Sequence, residues 1–235
     1  MNPDKAAKWE AWIEAIHADA IYLVDRRRWN AVFEQIVKAN PKLLAGQTIP
    51  DYFRALYADF AVMAIRRMMK KQPDSISLTA LLEDLIENHE MLTRAWYRTL
   101  YRRPVNGHVY EEDMANRLAD SAFAHFAGSA EVVTKSKIES DLAIIVDATR
   151  DIVHFTDRLK AHKDRRGLGP EFSVPTFDSL DVAIVILGNM ANEYWWLLTG
   201  QKSMAMQPLD MTNALEVFGF PWIDPNHPPE ISGLV

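Results

Sequence analysis

Between Trp9 and Val37 the chain has no Gly and no Pro. Apolar residues return there every three or four positions: Trp9, Trp12, Ile13, Ile16, Ala20, Ile21 and Val24, then Trp29, Val32, Phe33, Ile36 and Val37. This spacing gathers apolar side chains on one side of a 3.6-residue helix, whereas the faces of a strand alternate at every residue. Asn2-Pro3-Asp4 offers a helix start with Pro in the first turn, and Asn40-Pro41 offers a stop. The Asp25-Arg26-Arg27-Arg28 run inside it reads as either a kink or a wet face.

The same grammar continues along the chain. A second helix is expected from about Pro50-Asp51 to about Lys71, with Phe53, Leu56, Tyr57, Phe60, Met63 and Ala64 as its apolar face. Arg66, Arg67, Lys70 and Lys71 complement the helix dipole in its last turns. Ser77 caps a short helix over 78–88, and Thr93 caps another that ends near Arg102, before Pro104. A helix over 111–126 stops at Gly128. The longest is expected from about Ser129 to about Lys163, with Ile138, Leu142, Ile145, Val146, Val153 and Leu159 at core positions, closed by Gly167-Leu168-Gly169-Pro170. Asp178 opens a helix carrying Leu180, Val182, Ile184, Val185, Leu187, Tyr194, Trp195, Leu197 and Leu198, for which Gly200 is a natural C-cap. A short helix near 210–218 precedes a tail containing Pro221, Pro225, Pro228 and Pro229. No segment sustains period-two alternation. The expected fold is all-α, an antiparallel helical bundle with additional N-terminal helices, in two parts (1–128 and 129–235) or one continuous domain.

With 49% hydrophobic residues in 235, a sizeable core is available. The net charge of −6 argues against a general nucleic-acid coat and leaves room for a local basic site. The absence of cysteine excludes disulfides, zinc–thiolate sites and thiol nucleophiles, and fits a reducing compartment. Residues 1–10 hold no apolar core of a signal peptide. The longest apolar run, 182–191, falls short of the ~20 residues a spanning helix needs. The expectation is a soluble, cytoplasmic protein with no membrane contact.

Chemistry is suggested in one place, residues 150–166. Arg150, His154, Arg158 and His162 stand four residues apart, which on a helix makes one slowly drifting stripe. Arg158, Lys160, Lys163, Arg165 and Arg166 add a basic run with Asp164 as its one acid. His exchanges protons near neutrality, and Arg holds phosphate and stabilises transition-state charge. Together they suffice for metal-independent RNA cleavage, in which the 2′-hydroxyl is the nucleophile. The alternative is a solvated basic helix end.

The stretch Phe155-Thr156-Asp157-Arg158-Leu159-Lys160-Ala161-His162-Lys163-Asp164 resembles the signature helix of the HEPN superfamily. More narrowly, the chain is similar to AbiU-type abortive-infection proteins. The resemblance is carried also by Asp25-Arg26-Arg27-Arg28-Trp29-Asn30, by Ala64-Ile65-Arg66-Arg67 with Ser75-Ile76-Ser77-Leu78, and by Tyr194-Trp195-Trp196-Leu197-Leu198-Thr199-Gly200. It implies a helical bundle that forms a homodimer with the signature helices facing each other. It further implies a toxin or phage-defence role, metal-independent endoribonuclease activity, RNA as substrate, an antitoxin protein as a possible partner, and no cofactor. Arg158 and His162 would be catalytic; Arg150, His154, Lys160, Lys163, Arg165 and Arg166 would bind RNA. The family motif places four to six residues between Arg and His. Counting back from His162 at those spacings gives Asp157, Thr156 and Phe155, while only three residues separate Arg158 from His162. That departure favours the competing expectation, a catalytically inactive helical binding or dimerisation module.

Two further groups have residue types that suggest a site. Glu14 and His17 have the Glu-x-x-His spacing of carboxylate-bridged di-iron bundles, with Asp151 and His154 as an imperfect second copy and Glu193 as a further ligand. The ordinary reading makes Glu14 and His17 neighbours on a surface helix. Arg94, Arg98, Arg102 and Arg103, interleaved with Trp96, Tyr97 and Tyr101, have the composition of a nucleic-acid surface. An amphipathic helix with an aromatic inner face explains the same residues, and Trp195-Trp196 reads first as packing.

Overall fold

Asn2 accepts a hydrogen bond from the Asp4 N–H, Pro3 takes the first helical position, and α1 (Pro3–Ala39) starts there, in the computed structural model of the chain. The structure describes residues 2–46, 48–72, 74–104, 107–160 and 173–203. α1 runs unbroken through its arginine run. Arg26 lies over the Tyr22 ring and Arg27 reaches Asp181 at 2.9 Å, so the run is a polar outer face and not a kink.

Among the described residues seven more helices follow: α2 (Pro41–Gly46), α3 (Thr48–Met69), α4 (Leu78–Glu87), α5 (Arg94–Tyr101), α6 (Glu112–Ala127), α7 (Lys135–Phe155) and α8 (Phe177–Thr199). A single 3₁₀ turn, His89–Met91, joins α4 to α5. Among the described residues there is no strand beyond an isolated bridge between Thr93 and Val132, and the fold is all-α. No helix among them is long and apolar enough to cross a membrane. The expected helix over 210–218 and the Pro-rich tail lie outside the described residues.

Trp9, Ile13, Ile16, Ala20 and Leu23 of α1 and Leu180, Ala183, Ile184, Leu187 and Ala191 of α8 are buried in one apolar cluster. α1 and α8 form the most extensive helix–helix contact, and the small Ala20, Ala183, Gly188 and Ala191 let their backbones approach. The cluster continues through Ile65 and Met68 of α3, Leu78, Leu81, Leu82 and Leu85 of α4, and Ile138, Ile145 and Ile152 of α7. It therefore draws on both sides of residue 128.

Three local expectations are corrected. α7 begins at Lys135, not near Ser129, because the preceding segment lies extended beside the start of α5. The Arg94 N–H donates to the Glu131 carbonyl, the Val133 N–H donates to the Leu92 carbonyl, and Thr134 caps the helix. α7 also ends earlier, at Phe155, and continues as a π turn over Thr156–Lys160. Finally, α3 buries Tyr57, Ala61, Ile65, Met68 and Met69, while Phe53, Leu56 and Met63 of its expected core face remain exposed.

Candidate functional site

Along α7 the buried residues Ile138, Asp141, Ile145, Thr149 and Ile152 form the inward stripe. Their spacing fixes where the rest of the helix points. Arg150 is exposed and His154 is half-buried, both on the flank that faces α3 and α4. At the C-terminal end the Thr156 hydroxyl donates to the Ile152 carbonyl, a back-bond that competes with the regular ladder where the helix widens into the π turn.

A cleft of about 520 Å³ opens between α3, α4 and α7. Arg150, His154 and Asp157 line it from α7 and the π turn. Arg66, Met69, Lys70, Lys71 and Gln72 line it from α3 and the residues just after, and Thr79, Val146, Thr149 and Val153 complete its lining. Four guanidinium or ammonium groups thus face one carboxylate, and His154 adds a titratable ring. Three of the four cations are paired: Arg66 with Asp157, Lys71 with Glu83, and Arg150 with Asp147 at 3.3 Å and Asp151 at 3.7 Å. Among the described residues no carboxylate pairs with Lys70. Such exposed pairs contribute only ~0–1 kcal/mol each, so an incoming phosphate can take the cations over at little cost.

The structure brings some of the expected residues together and not others. Arg150 and His154 share the cleft. Arg158 is half-buried and does not line it; Asp157 does. Two turns of helix span about seven residues, so Asp157 returns closer to the Arg150 side than Arg158 does. Lys160 closes the π turn, and its side chain lies outside the described set. His162, Lys163, Arg165 and Arg166 lie outside the described residues.

No family model, curated protein or solved structure matches this chain. The reading of function therefore rests on these residues and their placement.

Arg66, Lys70 and Lys71 are the cleft residues that sequence reasoning assigned only to the helix dipole. A signal for them existed, since Arg66 and Lys70 repeat the four-residue step of Arg150 and His154. What pairs the two stripes is the packing of α3 on α7, across more than eighty positions of sequence.

The other two groups have structural work. Glu14 points to solvent while His17, three residues on, is buried and stacked on Trp195 at 4.6 Å between ring centres. Glu193 accepts from His125 at 2.7 Å. Among the described residues no three metal-ligating side chains converge. In the α5 group, Arg94 donates to the Gly128 and Ala130 carbonyls, Arg98 grips Asp120 with two bonds of 2.8 and 2.7 Å, Arg102 reaches Glu112, and Arg103 reaches Glu10. Tyr97 is buried amid Tyr101, Phe123 and Phe126, and the Trp196 indole donates to the Tyr101 hydroxyl. These arginines tie α5 to its neighbours.

Proposed function

We propose that this chain is a HEPN-type protein of the phage-defence or toxin class that cleaves RNA without a metal ion. The observation that carries the reading is the cationic cleft, in which Arg150 and His154 meet Arg66, Lys70 and Lys71 at the base of the helix whose sequence leads to His162. The cleft holds the RNA backbone through charge-assisted hydrogen bonds. Beyond it, Arg158 positions the scissile phosphate. His162 withdraws the proton from the 2′-hydroxyl or delivers one to the leaving 5′-oxygen. The 2′-oxygen bonds to phosphorus as the P–O5′ bond breaks, giving a 2′,3′-cyclic phosphate and a 5′-hydroxyl.

The test is cleavage of transfer RNA in EDTA, with product ends identified and a 2′-deoxy residue placed at the cut position. The reading expects cyclic-phosphate ends and no cutting at the deoxy position. Cutting that requires a divalent ion, or that ignores the deoxy substitution, contradicts it.

A second reading is favoured by Arg158, which stands outside the cleft at a spacing the family motif does not use. In it the chain is a catalytically inactive helical module that binds RNA or protein through the same cations. Binding without cleavage by the wild-type chain would select it.

A further inference from the structure

Two exposed stripes lie side by side on α1 and α3. On α1, Tyr22, Trp29 and Phe33 recur at i, i+7 and i+11; on α3, Ile49, Tyr52, Phe53, Leu56, Phe60 and Met63 fall at i, i+3, i+4, i+7, i+11 and i+14. Each spacing is one helical face. The stripes join across the helix pair, with Tyr22 edge-on to Phe60 at 5.6 Å and Phe33 against Phe53 at 5.3 Å. Yet Ile49 is 58% exposed and Tyr52 61%, and Tyr22, Trp29, Phe53, Leu56 and Met63 all remain more than two-fifths exposed. A continuous apolar surface of this kind marks an interaction site, because scattered single residues would not line up or touch.

We infer that this α1–α3 face docks a second copy of the chain, forming a twofold dimer. Area is the first argument. At about 200 Å² for a whole large side chain, the exposed portions of these residues come to roughly 700 Å², close to the ~800 Å² each partner gives to a stable interface. Charge is the second. The chain carries −6 overall, which opposes self-association, but the charges named beside this face, Arg26 and Arg54 against Glu34 and Asp51, sum to zero. Arg54 holds Glu34 through two bonds of 2.7 and 2.8 Å and Asp51 at 3.1 Å, and Arg26 covers the Tyr22 ring and donates to its hydroxyl. A locally neutral, aromatic face meets its own copy without the repulsion that a one-signed patch would bring, as an isologous contact requires. The face lies on α1 and α3, whereas the resemblance places dimer contacts on the helix leading to His162. It leaves the cleft, at the other end of α3, outside the contact stripe.

The experiment is sedimentation of the full-length chain across a concentration series, beside Tyr52→Glu, Leu56→Glu and their double variant. Both residues are exposed, so the fold should survive, and melting curves verify it. The wild type is expected to dimerise, and the double variant to weaken the dimer at least about tenfold, since a carboxylate would be buried at the centre of the contact. Val182→Glu, an exposed apolar position on α8, is expected to leave the dimer unchanged. A monomeric wild type overturns the inference, whether a different partner or another segment of the chain covers the face. So does a dimer indifferent to Tyr52→Glu/Leu56→Glu or one abolished by Val182→Glu. RNA cleavage does not enter this measurement, so either idea can fail alone.

Discussion

Asp84 shows what a single side chain does for this fold. It accepts from the indole N–H of fully buried Trp9 and from Lys5, with Lys8 at 3.6 Å, and so ties the start of α1 to α4. Burial alone would raise its pKa, but these donors outweigh burial and hold the carboxyl below its ordinary range. Asp84→Ala leaves the Trp9 donor inside the core without a partner, and a loss of about 1–3 kcal/mol in denaturant unfolding is expected. His17 works in the opposite sense. Burial lowers its pKa from the ordinary 6.5, and Asn192 beside it offsets this only in part. The unfolded chain therefore binds the proton more readily. Stability is fully present above 6.5 and falls as pH drops through the lower, folded value. Urea midpoints measured from about pH 7.5 down to about pH 5 should decline, and His17→Gln should flatten that part of the slope. At Gly200 the backbone is left-handed, with φ of +73°, and an added Cβ would lie 3.1 Å from the Leu100 Cβ. Gly200→Ala should cost at least about 1–2 kcal/mol, read as a lowered Tm.

At the scale of elements, the helix ends test how much was written locally. Ser77, Thr93 and Gly200 are where their residue types suggested, because a hydroxyl that meets a free N–H, or a glycine that takes positive φ, needs no distant partner. The start of α7 was not legible in this way. Val132 and Val133 continue an apolar pattern, and what keeps them out of the helix is the backbone pairing of Val133 with Leu92, forty-one positions away. The inward face of α3 differs from the expected one for a related reason. It is apolar on two sides, and only the packing of α1, α4 and α7 decides which side is buried. Thr134 and Thr176 each accept from a backbone N–H in the first turn of their helices. Alanine at either position should cost about 0.5–2 kcal/mol, and the double variant should show nearly the sum, since the two caps share no contact.

For the whole molecule, the all-α architecture was legible because helical periodicity recurs in almost every segment. The candidate site was legible only on one side. The α7 stripe of Arg150 and His154 was visible, but the opposite wall came from α3 residues that no local pattern links to it. The same tertiary arrangement explains why the α5 arginines, equally suggestive in sequence, are engaged within the fold: each has an acid or a carbonyl waiting on a neighbouring element. The basic cleft, together with Arg158 and His162, is proposed to form a single RNA-cleaving centre. The most direct test is the cleavage rate of total and transfer RNA in EDTA by wild type and His162→Ala, with melting curves of both. Cleavage by wild type is expected, with its loss in the variant and melting changed by no more than ~0.5 kcal/mol. Undiminished cleavage by His162→Ala, or an inactive wild type whose His162→Ala variant is markedly destabilised, would contradict the proposal.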